Sequence, residues 1–410
     1  MQQDDFENRV RFISELARRL HEYGTTAPRL EKAVDNVSGR LGLGCNILAT
    51  PTSIILSFAV LAEGDGALPR STQVIRVEPG DLNLRRLVEV DAIAEQVFIG
   101  ELNIESGLAA LRAVRSGLTT RAEAMRVLSF GISSAAVAVL FKGVLADALL
   151  AGVLGLLIGL LASLVARRPA LGPSFEALAA FLAMFAASLV AARYAPLNIN
   201  TVVIAALIVL LPGMALTSAV VELSTQHLVA GSVRFMGASA VLLKLTFGTV
   251  AGAQVAHLLV LTPMPIMAQP LPEWTEWVAL LAGSYAFAGL FQAARRDYPL
   301  AMASSWLGYL CARFGGMLSG PEFGVFLSGI VVGSVANLYA RISNRPGAIV
   351  RVPGIIMLVP GSVGFRSLFY VFERDVYLGL DKAISLIVIL ASLAAGLLFG
   401  NLLVPPRRSI

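Results

Sequence analysis

"VLLPGMALTSAVVEL" occupies Val209–Leu223, and "IMLVPGSVGFRSLFY" occupies Ile356–Tyr370. Each is an apolar run that climbs to Pro-Gly and continues through small, hydroxyl-bearing and charged residues. Proline removes a helical donor and glycine lets the backbone turn, so both stretches read as interrupted helices. They are also related. Sliding the chain against itself by 148 residues, without gaps, lays Leu210, Pro212 and Gly213 on Leu358, Pro360 and Gly361. The same shift puts Gly172, Pro173 and Phe175 on Gly320, Pro321 and Phe323. It also puts Arg193 on Arg341, Gly231 on Gly379 and Arg234 on Lys382. The matches fall at comparable points of the hydropathy pattern, so the sequence around them reads as a duplicated unit.

The surroundings of the two breaks give the fold class. Of 410 residues, 56% are hydrophobic and 14% charged, but unevenly so. Up to Arg126 there are 15 Lys/Arg and 17 Asp/Glu; the remaining 284 residues hold 17 and 10. Stretches such as Ala148–Ala166 are long enough to cross an apolar layer of about 30 Å. Ten such spans are read, at 127–141, 144–166, 174–194, 199–213, 236–261, 277–293, 298–315, 321–341, 347–361 and 383–404. Five spans per copy is an odd number, so the copies must lie in opposite orientations. The expectation is an α-helical polytopic membrane protein with ten transmembrane segments as an inverted 5+5 repeat, preceded by an α+β soluble N-terminal domain. The domains expected are 1–125 (cytosolic), 126–262 (first repeat), 263–276 (extracytoplasmic linker) and 277–410 (second repeat).

In the N-terminal domain, Val10, Ile13, Leu16, Ala17 and Leu20 recur at helical spacing over residues 4–22. A second helix is expected from Pro28 to Leu41, with Gly42 and Gly44 beyond its end. "CNILAT", "SIILSFAV" and "QVIRVE" read as strands, the last two separated by the turn-rich "EGDGALPRS". Helices return at 82–100 and 104–116. Met1–Leu20 carries Asp4, Asp5, Glu7 and several arginines where a secretory signal would be apolar, so a cytosolic location is expected.

Charge then orients the spans. Fourteen arginines fall on the flanks this arrangement puts inside, against six Lys or Arg on the outer flanks, including Lys142, Arg313 and Arg366. The loop "LTPMPIMAQPLPEWTEW" has no Lys or Arg. Both termini are thus expected in the cytoplasm of a plasma (bacterial inner) membrane. The net charge of +5 resides in these short loops and does not indicate nucleic acid. Cys45 and Cys311 are not expected to pair, His21-Glu22 lacks the second histidine of a zinc motif, and no phosphate-binding GxxxxGK[ST] is present. No metal and no cofactor are expected, and transport would draw on a gradient or on another chain's ATPase. Enzymatic activity is the weakest of the options.

Pro/Gly-interrupted segments at matching places in two inverted halves point to a substrate site. Pro212, Gly213, Pro360 and Gly361 therefore head the candidates, because broken helix ends present unpaired N–H groups and a positive half-dipole to an anion. Thr217 and Ser218 follow, with Arg366 as a possible carboxylate partner or an interfacial anchor. Ser218 and Glu222 share one helical face. Glu222 is costly in apolar surroundings unless paired or protonatable, which makes it a proton-coupling candidate or else a carboxylate near Arg234. Lys244 needs a partner, Glu222 or Glu176; Asp147 reads as a local pair for Lys142; His227 reads as interfacial. The GxxxG pairs Gly155–Gly159, Gly248–Gly252, Gly329–Gly333 and Gly396–Gly400 suit close helix packing.

Nearly the whole chain resembles the threonine/serine exporter family. "LHEYGTTAPRLEKAVDNVSGRLGLGCNILATPTSIILSF" is similar to its N-terminal signature, carried here by Gly24, Arg29, Glu31, Pro51 and Thr52. "LPGMALTSAVVELSTQHLVAGSVRF" resembles its Pro-Gly segment through Pro212, Gly213, Thr217, Gly231 and Arg234. Glu222 stands where an Asp is usual, Ser218 where an Asn is usual and Gln226 where a Gly is usual. "VPGIIMLVPGSVGF" resembles the signature of the second half, a separate chain in related two-component dicarboxylate exporters. The resemblance implies efflux of threonine or serine driven by the proton motive force. Its partners would be a small carboxylate-bearing substrate, protons and the lipid bilayer, and a homo-oligomer is open. A succinate-type exporter, a passive channel and a membrane-anchored sensor are the alternatives.

Overall fold

Along the helix Leu145–Arg167, the side chains of Leu145, Leu149, Val153, Leu157, Leu160 and Leu164 are exposed, while Ala148, Ala151, Leu154, Gly155, Ile158 and Gly159 are buried. The exposed stripe is as apolar as the buried one. Such a face is the surface a helix presents to lipid. In the computed structural model this pattern recurs through the second and third thirds of the chain. The structure describes residues 3–60, 70–114, 120–194, 196–259, 271–358 and 361–406. Pro360, the turn at 61–69, the 263–276 linker up to residue 270, and Arg115, Arg407 and Arg408 lie outside the described residues.

The N-terminal portion comprises α1 (Gln3–Glu22), α2 (Ala27–Arg40), β1 (Leu43–Thr50), β2 (Ser53–Val60), β3 (Ser71–Arg76), α3 (Leu84–Phe98) and α4 (Ile104–Ala113). The strands form an antiparallel meander in the order β1-β2-β3. β2 turns Ile54, Leu56, Phe58 and Val60 to one side, where they pack with Phe12, Ile13, Leu16, Leu30 and Val34 of the first two helices. Asn83 and Asn103 cap α3 and α4 by accepting from Arg86 N and Ser106 N, satisfying donors a helix start leaves free.

Twelve further helices follow in two sets of six. The first set is α5 (Thr120–Leu140), α6 (Leu145–Arg167), α7 (Phe175–Arg193), α8 (Ile199–Ala206), α9 (Gly213–Ser224) and α10 (Leu228–Leu258). The second is α11 (Trp274–Leu290), α12 (Tyr298–Ser319), α13 (Pro321–Ser343), α14 (Ala348–Ile356), α15 (Gly361–Phe372) and α16 (Val376–Leu403). Gly213 and Leu228, which open α9 and α10, lie 148 residues before Gly361 and Val376, which open α15 and α16. Among the described residues, seven helical stretches are long and apolar enough to cross a membrane. The other segments expected as spans are helical but fall below that mark. α11 has 17 residues, α12 is less apolar, and 199–224 is split into helices of 8 and 12 residues.

The two sets pack alike. α5 lies on α6 and α11 on α12; α7 lies on α10 and α13 on α16. Between the sets, α5 meets α11, α9 meets α15, and an exchange is mutual: α15 packs on α10 and α9 on α16. Small residues permit the close approaches. A Cβ on Gly248 would collide with the Ala177 carbonyl of α7, and one on Gly396, its mate at 148 residues, with the Phe326 carbonyl of α13. The hairpins match in the same way: Gly231 abuts Leu223 and the Ala219 carbonyl, and Gly379 abuts Val371 and the Ser367 carbonyl. Cys45 and Cys311 are free, and burial pushes the Cys45 thiol up to about 12.

Overpacking costs about 1–3 kcal/mol where neighbours can move, and here the obstacles are backbone carbonyls. Gly248→Leu and Gly396→Leu should therefore each lower the thermal midpoint of detergent-solubilised protein by roughly 4 °C or more. Gly237→Leu is the control, since Gly237 is in α10 with nothing within 4 Å of its would-be Cβ. Equal midpoints for all three variants would contradict this packing.

Candidate functional site

α8 ends at Ala206, Leu207–Leu210 turn, and Pro212 (φ −80°, ψ 41°) stands before α9. At about 1.5 Å per residue, α8 and α9 are roughly 12 and 18 Å long, so neither alone matches an apolar layer of about 30 Å but the pair does. The end of α8 is not left unsatisfied, because Ser134 of α5 donates to the Ala206 carbonyl at 3.4 Å. The second copy is broken similarly. α14 carries Pro353 internally, and Ser304 and Ser305 of α12 donate to the Val350 and Pro353 carbonyls.

The breaks meet. A Cβ on Gly361 would lie 3.1 Å from Leu211 Cβ and 3.2 Å from the Cα and N of Gly213. Both half-helices thus begin at one crossing, with their N-terminal ends together. Pro212, Gly213 and Gly361 are brought to this point, and Pro360 lies outside the described residues.

On one side of the crossing lies a cavity of about 200 Å³. Asn198, Asn200, Thr201 and Ile204 line it from the start of α8, and Phe365, Arg366, Phe369 and Tyr370 from α15, with Met184 and Thr249 completing the wall. Asn198 and Asn200 are exposed, so the cavity is reached from that end. The Arg366 guanidinium lies 5.1 Å from the Phe141 ring centroid, and its buried Nε has no hydrogen-bond partner among the described residues. Arg366 is therefore part of a polar cavity wall. Beneath the rim, buried Asp147 accepts from Asn198 N at 2.9 Å and Val144 N at 3.0 Å.

On the other side lie Thr217, Ser218 and Glu222. Thr217 is buried and its hydroxyl also lacks a partner among the described residues. Glu222 is fully buried and held in two ways. It takes a bidentate pair from Arg234 (Nε–Oε2 2.9 Å, Nη2–Oε1 3.0 Å), as the sequence suggested, and Oε1 also accepts from Ala27 N at 3.1 Å. Ala27 is the first residue of α2, whose N-cap Thr26 makes no side-chain cap bond, so Glu222 supplies the anion that a helix start favours. His227 reaches Glu31 at 3.1 Å, and Glu31 in turn accepts from Ala49 N. Two residues past Ala27, burial pushes the Arg29 guanidinium down to about 10, and no carboxylate among the described residues pairs with it.

Several pairings differ from expectation. Lys244 pairs with Glu176 at 3.5 Å and not with Glu222. Lys142 does not pair with Asp147; it reaches Glu276 of α11, which Tyr309 and Arg313 also bond. Asp147 is turned inward to backbone donors, so it has no need of a cation. His227 joins the N-terminal portion instead of facing an interface with lipid headgroups. No group of three or more potential metal ligands occurs among the described residues.

Comparison with known proteins follows the same two-part layout. One family model, described as a threonine/serine exporter, matches residues 11–256, and a second, "Threonine/Serine exporter, ThrE", matches residues 276–403. The chain belongs to the threonine/serine exporter family. It is a multi-pass membrane protein of a transporter family. It is similar to the pheromone-regulated membrane protein 10 of Zygosaccharomyces rouxii, 26% identical over 82% of this chain and 35% of that protein. The namesake in Saccharomyces cerevisiae is 26% identical over 82% of the chain and 44% of its own length, and that in Eremothecium gossypii 25% over 82% and 46%. The chain thus spans less than half the length of these relatives. No solved structure matches.

Removing one partner of a buried ion pair costs about 3–5 kcal/mol, because the other charge stays buried. Glu222→Ala and Arg234→Ala should each destabilise the protein strongly, and the double variant should cost less than their sum. Thermal midpoints in a double-mutant cycle test this; additive losses would deny the pair its role.

Proposed function

We propose that this exporter-family chain is a secondary active transporter of small carboxylate-bearing metabolites, with threonine or serine as the substrates its family indicates. Ten crossings as an inverted 5+5 repeat carry the pathway, with both termini cytoplasmic in a plasma or bacterial inner membrane. What supports the reading is the meeting of the two interrupted segments at Gly213 and Gly361 beneath the cavity that Arg366 lines. Two converging helix starts favour an anion, and an arginine with a buried unused donor suits a carboxylate. Asn198, Asn200, Thr201 and Thr249 offer amide and hydroxyl groups to the rest of an amino acid. Thr217 and Ser218 receive the solute on the far side of the break.

Arg366 is the one cation in the cavity wall. This favours a single carboxylate over the dicarboxylates of the related two-chain exporters. Glu222, satisfied as an anion by Arg234 and α2, exchanges a proton only when those contacts open, and coupling follows from that exchange.

Counterflow in proteoliposomes tests the reading, using threonine, serine, alanine and succinate with and without a proton gradient. Threonine or serine should exchange, with acceleration by the gradient. Arg366→Gln should raise the half-saturating concentration roughly ten-fold or more, the loss of one charge-assisted contact. Replacing Pro212 and Gly213 by alanines should abolish exchange in protein that still inserts. Glu222→Gln should remove the response to the gradient. Flux that ignores the gradient in the unmodified protein would indicate a passive channel, and succinate exchange alone would move the substrate to dicarboxylates.

A further inference from the structure

The 148-residue relation maps the cavity onto the opposite end of the molecule. Phe365, Arg366, Phe369 and Tyr370 of the cavity wall correspond to Thr217, Ser218, Val221 and Glu222. The facing wall, Asn200 and Ile204, corresponds to Ala348 and Val352. One end therefore has an accessible cavity. At the other, the equivalent place is occupied by protein: Ala348 and Val352 belong to the same apolar core as α1, α2 and the sheet, with Met214 packed against it. Glu222, the counterpart of Tyr370, is covered by the first turn of α2.

We propose that the N-terminal portion is the gate at this end of the pathway, with the start of α2 as its plug. The proposal rests on the exporter reading for what passes the gate. Its attachment spans both sets of helices. It holds the first set through Glu222 and His227, and the second through Gln292, whose side chain accepts from Asn83 at 2.7 Å, and through the Phe291 and Gln292 carbonyls, which accept from Leu84 N and Arg85 N at 3.0 and 3.2 Å. A clamp across both halves fixes their spacing at one end, so the halves can rock only after it lets go. The contacts suit release, being a few hydrogen bonds around small apolar side chains such as Ala230, Ala293 and Ala348. The plug also senses the pathway. α2 has Glu222 as its cap, so displacement or neutralisation of that carboxylate removes an anion from the helix start that seals it.

Two measurements test the gate. Ser218→Cys, in a chain with Cys45 and Cys311 replaced by alanine, places a thiol one helical turn from Glu222 under the plug. A membrane-impermeant maleimide supplied from the side bearing the N-terminal portion should label it slowly. Adding His227→Ala and Gln292→Ala, which loosen the clamp, should speed labelling at least ten-fold. Equal rates would overturn the proposal. Separately, Asn83→Cys with Gln292→Cys, bridged by a short thiol-reversible cross-linker, should halt counterflow until reducing agent restores it. Full counterflow through protein shown by gel to be cross-linked would also overturn it. The labelling needs no transported solute: labelling that follows the clamp in protein that exchanges none of the solutes would sink the exporter reading and leave the gate standing.

Discussion

A backbone amide in an apolar layer has no water to turn to, and this constraint organises the molecule. Unbroken helices satisfy it within themselves. The α8–α9 and α14–α15 segments do not, so their ends must be buried in protein. They are. Serines of α5 and α12 reach the carbonyls at the ends of α8 and α14, and the glycines that open α9 and α15 press against each other. Everything outside this crossing serves to hold it. The glycines of α10 and α16 bring those helices onto α7 and α13, and α10 and α16 in turn each flank the half-helix of the other set.

Duplication gives two equivalent ends, but the structure uses them differently. At one, the wall positions carry Arg366 and Tyr370 and surround open volume. At the other, the same positions carry Ser218 and Glu222 and are covered by a portion of chain with no counterpart in the second copy. Acidic residues near the start of the second helix in each set also diverge. Asp147 holds the backbone at Asn198, while Asp297 holds Arg345 through a double bond at 2.7 Å. Both nevertheless do one job, anchoring the entry to an interrupted segment. The symmetry lies in the backbone; the chemistry departs from it.

Much of this was readable beforehand, and the boundary has a physical cause. Periodicity fixes which residues share a helix face, so α1, α2, the strands and the long helices fell within a few residues of expectation. The repeat was visible because Pro-Gly has a local backbone meaning that survives divergence of the surrounding side chains. Glu222 and Arg234 were paired correctly because one hairpin brings residues twelve apart together. Lys142 and Glu276 could not be paired, since 134 residues of chain and the meeting of α5 with α11 separate them in sequence. The docking of α2 left no periodic trace at all. Its contacts are backbone N–H and carbonyl groups, which every residue possesses.

The role of Glu222 shows how such a contact changes a reading. From sequence, a carboxylate in apolar surroundings suggested a group that cycles its proton. In the structure its burial is accounted for by Arg234 and by the amide of Ala27. A carboxylate so well satisfied is a fastener before it is a relay. It can release or accept a proton on a useful timescale only if the fastening opens, and the fastening is shared between α10 and α2. Protonation, the position of α2 and the spacing of the two halves are thereby made parts of one equilibrium: whatever shifts one must shift the others, by linkage and without further contacts.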